Sequence, residues 1–243
     1  MLLTYLLPVH NEEAILADSV ARLRAVLARH PGSRILLVEN GSHDGSFALA
    51  KRLEGVAESV SVNAYSLPEA GIGHAYHRGM REALVLDGAA PSRYVVLTAA
   101  DLPFAFTDLE QALPHLADTR APILIGSKAH PRSTVRVSRE RAIATRVYRG
   151  LRHAVAGMRT GDSQGSIFLR LDVVEKFLDL IVSRDFFYST ELVYHAERLG
   201  HPIVELPVTV APEARASTVR PLRHGSAMML ALLGTVRRWG RIR

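Results

Sequence analysis

Short apolar runs alternate along the chain with longer segments in which apolar residues recur every three or four positions. Leu2–Leu7 is a run of strand length that ends at Pro8. After Asn11-Glu12-Glu13, residues Ile15, Leu16, Val20, Leu23 and Leu27 share one face of a helix with an acidic first turn, and Pro31-Gly32 closes it. Ile35–Val38 predicts a second strand, Asn40-Gly41-Ser42 a turn, and Asp44 the opening of a helix over Ser46–Leu53. Val60–Leu67 alternates as a third strand. Gly71-Ile72-Gly73 leads into a helix over His74–Leu86, and Tyr94–Leu97 is a fourth strand that stops at Thr98-Ala99-Ala100-Asp101. Strand–helix alternation of this kind predicts an α/β fold: a Rossmann-like, mostly parallel central sheet with helices on both faces.

The second half is less regular. Ile123–Ile125 predicts a strand ending at Gly126-Ser127-Lys128, and Arg139–Val155 a basic helix. A strand over Ile167–Leu169 and helices over Val173–Leu180 and Thr190–Leu199 follow. Ile203–Val210 reads as the last strand and Leu222–Trp239 as a terminal helix. Without an internal repeat or a Pro/Gly/Ser-rich linker, the pattern predicts one domain over residues 1–243.

Composition narrows the chemistry. With 48% hydrophobic and 22% charged residues, the chain is expected to fold rather than stay disordered. It has no cysteine, which excludes disulfide scaffolds, cysteine-ligated zinc and thiol catalysis. A net charge of +6 favours partners that carry phosphate: nucleotides, nucleic acid or an anionic membrane surface. The excess is regional, with Arg132, Arg136, Arg139, Arg141, Arg146, Arg149 and Arg152 in one stretch and Arg237, Arg238, Arg241 and Arg243 in another. Only 6% of residues are aromatic and no nucleic-acid module is recognisable, so nucleic acid is not expected as a partner. The first residues lack the basic region of a signal peptide. The longest apolar stretch, Met228–Val236, falls well short of the about 20 residues a spanning helix needs. The expected location is cytoplasmic, soluble or peripheral at the membrane face.

In such sheets, ligands sit at the carboxyl ends of the strands. The sequence places His10, Asn11 and Glu12 after the first strand, Glu39, Asn40, Gly41, Ser42 and Asp44 after the second, and Asp101 after the fourth. Each alone reads as an ordinary polar loop residue, and Glu12 as an acid at a helix start. Together, at one sheet edge, they predict a binding site. Gly71-x-Gly73 does not make it a dinucleotide site, because the motif does not follow the first strand and Tyr76 stands at the third glycine position. His74 and His77 read as packing or surface residues of a helix.

The stretch Leu7-Pro8-Val9-His10-Asn11-Glu12-Glu13 resembles the opening motif of family 2 glycosyltransferases of the GT-A fold. Val38-Glu39-Asn40-Gly41-Ser42-His43-Asp44-Gly45-Ser46 resembles their second-strand motif, and Thr98-Ala99-Ala100-Asp101-Leu102-Pro103-Phe104 their Asp-x-Asp metal motif. Asp162-Ser163-Gln164-Gly165, Ser189-Thr190-Glu191-Leu192 and Glu205-Leu206-Pro207-Val208 are similar to later motifs of the dolichyl/polyprenyl-phosphate sugar transferase branch.

The resemblance implies an inverting transfer of a sugar from a UDP- or GDP-linked donor to a polyprenyl-phosphate-type acceptor. A soluble small-molecule or saccharide acceptor and a nucleotide-binding pseudoenzyme are the alternatives. It implies a nucleotide-sugar-binding half over 1–104, an acceptor-side half over 105–215, and a basic amphipathic helix over 216–243 that either meets a membrane or packs on protein. Donor-binding residues would be Pro8, His10, Glu12, Glu39, Gly41, Ser42, Gly71, Gly73, Ala100 and Asp101, with Glu39 accepting a base N–H and Pro8 and His10 flanking the base or ribose. Asp101 would hold Mg2+ or Mn2+. Lys128, Arg136 and Arg139 would meet the acceptor phosphate, with a solvated helix face as the other reading. Asp162 and Gln164 would shape the catalytic pocket. Glu191 would be either a general base near the acceptor or a helix-capping acid after Ser189. The chain departs from the family pattern in three places: Ala99 replaces the first metal-motif acid, Asn40 the second acid of the second-strand motif, and Ser217-Thr218 the usual Ser-Lys.

Overall fold

A computed structural model describes residues 2–57, 59–90, 92–118, 121–135, 138–210 and 221–242. Eight strands form one sheet: β1 (Leu2–Val9), β2 (Arg34–Asn40), β3 (Gly55–Ala57), β4 (Val60–Leu67), β5 (Arg93–Leu97), β6 (Ile123–Ser127), β7 (Ser166–Arg170) and β8 (Ile203–Pro207). Their spatial order is β3-β4-β2-β1-β5-β7-β6-β8. All run one way except β3 and β7, which pair antiparallel to their neighbours. The expected mostly parallel sheet is present, with a reversed strand at its centre.

Among the described residues, eight α-helices cover the sheet: α1 (Glu13–Leu27), α2 (Ser46–Leu53), α3 (Ile72–Asp87), α4 (Thr107–Asp118), α5 (Arg139–Ala156), α6 (Leu171–Phe177), α7 (Tyr188–Arg198) and α8 (Pro221–Ile242). A 3₁₀ turn, Leu178–Leu180, extends α6. Because side chains alternate along a strand, β1 feeds two cores. Leu3, Tyr5, Leu7 and Val9 join Leu16, Val20 and Leu23 of α1 and Leu109, Ala112 and Leu116 of α4. Leu6 joins Ala75, Met80 and Ala83 of α3, with Phe177, Leu192, Leu232 and Trp239 from the second half. The two halves read from the sequence therefore share one continuous core on this face.

Two elements escaped the sequence pattern. Strand β3 is three exposed residues at a sheet edge, too short to show a period. Helix α4 carries Pro114 in its interior, a residue that normally ends a helix. The last strand stops at Pro207 rather than Val210, and only Thr209 bridges onward, to Thr134. Helix α8 buries Met228, Leu232 and Trp239 in the core and leaves Leu230 exposed, so part of its apolar face packs on the protein itself. Among the described residues, no helix is long and apolar enough to cross a membrane.

Candidate active site

Strand registers decide which loops meet. Pro8 pairs with Val38, Leu6 with Leu97, and Asn40 with Leu67, so the loops after β1, β2, β4 and β5 leave the sheet at one edge. The reversal of β7 adds a further loop to that edge. Leu97 pairs with Ile167 and Gly126 with Ser166, so residues 162–165, which precede β7, lie beside the tips of β5 and β6. A parallel β7 would have sent them to the opposite end. Gly165 has to be glycine for the same reason, since a Cβ there would land on the Gly126 carbonyl.

The two opening motifs brace each other. Ser46 Oγ accepts from Glu12 N at 2.8 Å, Glu13 Oε2 from Gly45 N at 2.9 Å, and Asn11 Oδ1 from His43 N at 2.8 Å. Ser42 Oγ accepts from Asn11 N at 3.1 Å. Much of this polar signal is thus architecture that fixes two loops at one spacing. The Asn40 amide, oriented so that its nitrogen donates to Val9 O and its oxygen accepts from Gly71 N (both 3.0 Å), ties a third loop in. A carboxylate could not donate to Val9 O, which explains why the family's usual second acid is an amide here.

Glu39 is buried at the end of β2. Its Oε1 accepts from Ser42 N at 2.5 Å and its Oε2 from Ser66 Oγ at 2.7 Å. Each oxygen keeps a second lone pair, so the carboxylate can both shape the loop and receive another donor. Gly41 N donates to Leu67 O at 3.0 Å. His10 is exposed, and its Nδ1 donates to Asn40 O at 2.9 Å. Pro8 and Ala100, both expected at the donor, are buried. Gly71 and Gly73, also expected at the donor, pack closely against another loop. Side chains at either position would strike the backbone of Arg184, so these glycines serve close packing of α3 on the 181–187 loop.

Asp101 sits at the β5 tip. Its Oδ1 is buried and has no hydrogen-bond partner among the described residues. Such an atom is costly to leave unpaired. Tyr76 is close by, and its phenol is pushed up by burial and then by the Asp101 charge. The loop that follows is strained: Leu102, Ala105 and Phe106 all have positive φ, 48°, 44° and 69°.

On the other side of this edge stands Lys128. Its Nζ lies 3.7 Å from Asp162 Oδ2, donates to Gln164 O at 3.3 Å, and sits 5.8 Å from the Phe104 ring centroid. Asp162 accepts from Lys128 N and Gln164 N, at 3.0 and 2.9 Å. Gln164 Nε2 donates to Phe186 O at 3.2 Å. The fold therefore brings Lys128, Asp162 and Gln164 together. Arg139 is exposed at the first residue of α5, and none of these bonds reaches it. Arg136 lies outside the described residues. Two positioning acids were missed: Glu205, which accepts from Gly161 N and Asp162 N, and Glu197, which accepts from Arg159 N and Thr160 N. The motif Glu205-Leu206-Pro207-Val208 contains Glu205, but its role in holding the 161–162 loop was not visible in it.

Glu191, expected as either a general base near the acceptor or a helix-capping acid, is enclosed by the protein. Its side chain is fully buried. Oε2 accepts from Val182 N and Ser183 N at 3.1 and 2.7 Å, and Oε1 from Thr235 Oγ1 and Arg238 Nη2 at 3.2 and 2.7 Å. Burial pushes its pKa up, but the contacts with His195, Ser183 and Arg238 outweigh that and hold it at about 2. It is an anchor that fastens α8 and the 181–187 loop to α7.

Residues 4–177 match the family described as "Glycosyl transferase family 2". The chain belongs to glycosyl transferase family 2. It is a glycosyltransferase enzyme, and its curated relatives are of the polyprenyl-phosphate branch. It is 28% identical over 209 residues to "Polyprenol monophosphomannose synthase" of Mycolicibacterium smegmatis, covering 84% of this chain and 75% of that one. It is 27% identical to "Undecaprenyl-phosphate mannosyltransferase" of Micrococcus luteus, covering 97% and 92%. The GT-A fold is shown by glucosyl-3-phosphoglycerate synthase from Mycobacterium tuberculosis, whose structure with Mn2+, uridine-diphosphate and glucosyl-3-phosphoglycerate superposes with a TM-score of 0.62 at 19% identity, over 96% of this glycosyltransferase and 78% of that chain.

Proposed function

We propose that this glycosyltransferase moves a sugar, with inversion, from a UDP- or GDP-linked donor to a polyprenyl-phosphate acceptor at the cytoplasmic face of a membrane. The observation that carries the reading is the sheet edge itself, where Asp101, whose Oδ1 has no partner among the described residues, and the Lys128–Asp162–Gln164 cluster stand on loops that meet the ends of adjoining strands. The names of the two relatives support the acceptor class.

The residues present fit a divalent cation, in a reduced form. Asp101 offers a buried oxygen without a partner, and the described residues contain no cluster of three or more His, Asp or Glu that could enclose an ion by themselves. Asp101 would hold Mg2+ or Mn2+, with diphosphate oxygens and water completing the shell. When bound, the ion neutralises the charge that builds on the departing nucleotide diphosphate. The relative with Mn2+ and uridine-diphosphate in its structure supports this assignment.

Glu39, His10 and the braced loop around Ser42 hold the base and ribose. Lys128, held over Asp162, turns to the acceptor phosphate, where its ammonium attracts the anion without having to release a proton. The burial of Glu191 favours this acceptor. A sugar hydroxyl requires a base, whereas a phosphate monoester is already ionised near neutral pH.

A nucleotide that binds only the folded chain raises its unfolding temperature. UDP or GDP at about 100 times its Kd is expected to add about 2.7 kcal/mol, a rise of roughly 5–10 °C for a domain of this size. Differential scanning fluorimetry with each nucleoside diphosphate checks this, and a flat response to all of them sinks the donor assignment.

A further inference from the structure

Helix α5 has two faces with different tasks. Inward, Arg152 is buried, and its Nη2 donates to Thr160 O at 3.3 Å and Gly161 O at 2.9 Å, the two residues before Asp162. Outward, Ile143, Val147 and Leu151 are 60%, 56% and 41% exposed. They are four residues apart, so they form one stripe along the helix. Arg139, Arg146 and Arg149 are exposed on the same helix. An aliphatic stripe of this length left in water marks a docking surface.

Charge selects the occupant. The helix carries five arginines against one acid, Glu140. A second copy of the chain would bring its own net charge of +6 against them. An anionic bilayer satisfies both features: aliphatic side chains enter the boundary between headgroups and acyl chains while guanidinium groups bind lipid phosphates. We propose that the exposed Ile143–Val147–Leu151 face of α5, with its arginines, docks this glycosyltransferase on an anionic lipid surface. On the terminal helix α8, Met228, Leu232 and Trp239 are buried in the core while Leu230 is exposed. Docking through α5 has a consequence for the site. The same helix holds Thr160 and Gly161 through Arg152, so it sets the Asp162–Gln164 loop and Lys128 close to the headgroup layer. Its purpose rests on the proposed lipid-phosphate acceptor, while its physics does not.

Co-sedimentation with vesicles of phosphatidylcholine, alone or mixed with phosphatidylglycerol and free of polyprenyl phosphate, tests it. The wild-type chain is expected to sediment with the anionic vesicles and to be released by salt. The double variant Val147→Asp/Leu151→Asp and the double variant Arg146→Glu/Arg149→Glu are each expected to lower partitioning by about tenfold or more, with thermal unfolding unchanged. Transfer to a water-soluble short-chain isoprenyl phosphate is expected to persist in both. The proposal is overturned if the wild-type chain stays in the supernatant, if the variants sediment like wild type, or if Val147→Asp/Leu151→Asp instead splits a dimer and leaves lipid binding intact. Vesicle binding that holds while no isoprenyl phosphate is glycosylated upholds the docking and overturns the acceptor reading.

Discussion

Asp101→Asn is expected to lower sugar transfer by at least about 10³-fold, the scale seen when a group that stabilises developing charge is removed. The reason is its isolation. The family's first metal-motif acid is Ala99 here, so no second carboxylate on that strand tip can stand in. Asp101 Oδ1 meanwhile makes no internal hydrogen bond whose loss would cost the fold anything. The unfolding temperature without ligand should therefore hold or rise, as it does when an uncompensated buried group is relieved. Mn2+ should also cease to tighten the binding of the nucleoside diphosphate. A variant that turns over donor within about tenfold of wild type would remove Asp101 from the reaction.

Glu191 predicts the opposite pattern, a large loss of stability with little loss of chemistry. Glu191→Ala leaves Val182 N, Ser183 N and the Arg238 guanidinium without their acceptor. Leaving buried backbone donors unpaired costs about 1–3 kcal/mol each, a fall of several degrees in Tm. Glu191→Gln keeps the shape and serves as the test of role. Loss of a general base would cost about 10²–10⁴ in kcat, whereas an anchor leaves kcat within about tenfold below the variant's melting temperature. Acid gives a second readout. The folded pKa is depressed to about 2 from an ordinary value of 4.5, so Glu191 contributes its stability above pH 4.5 and loses it as the pH falls from there towards 2. The linked stability is about 3 kcal/mol. Urea unfolding between pH 6 and pH 3 should show a steeper loss for wild type than for Glu191→Gln, and parallel curves would contradict the ion pair.

The first hundred residues were legible because each strand ends in its own polar loop, and local pattern suffices to place all of them at one edge. What the pattern could not show was how the loops hold one another. Asn11, Glu13, Asp44 and Ser46 look like ligand residues, yet they bond across about 30 positions of sequence to each other. Glu191 misled for a similar reason. Its place in the motif is local information, whereas its partner Arg238 stands 47 residues further on. Strand direction was equally hidden. Nothing in Ile167–Leu169 distinguishes an antiparallel strand from a parallel one, although the reversal of β7 is what carries Asp162 and Gln164 into the site. The glycines at 71 and 73 were visible, but their neighbour, the Arg184 backbone, was not.

The central claim is that this sheet edge passes a sugar from a nucleotide diphosphate to a lipid phosphate. Incubation with radiolabelled UDP- or GDP-sugars, polyprenyl phosphate and Mn2+, followed by organic extraction, measures it directly. Label that moves into the lipid phase with inverted anomeric configuration, and stays behind when chelator is added, is the result expected. Label that remains with the donor, or passes only to a water-soluble acceptor, would contradict it.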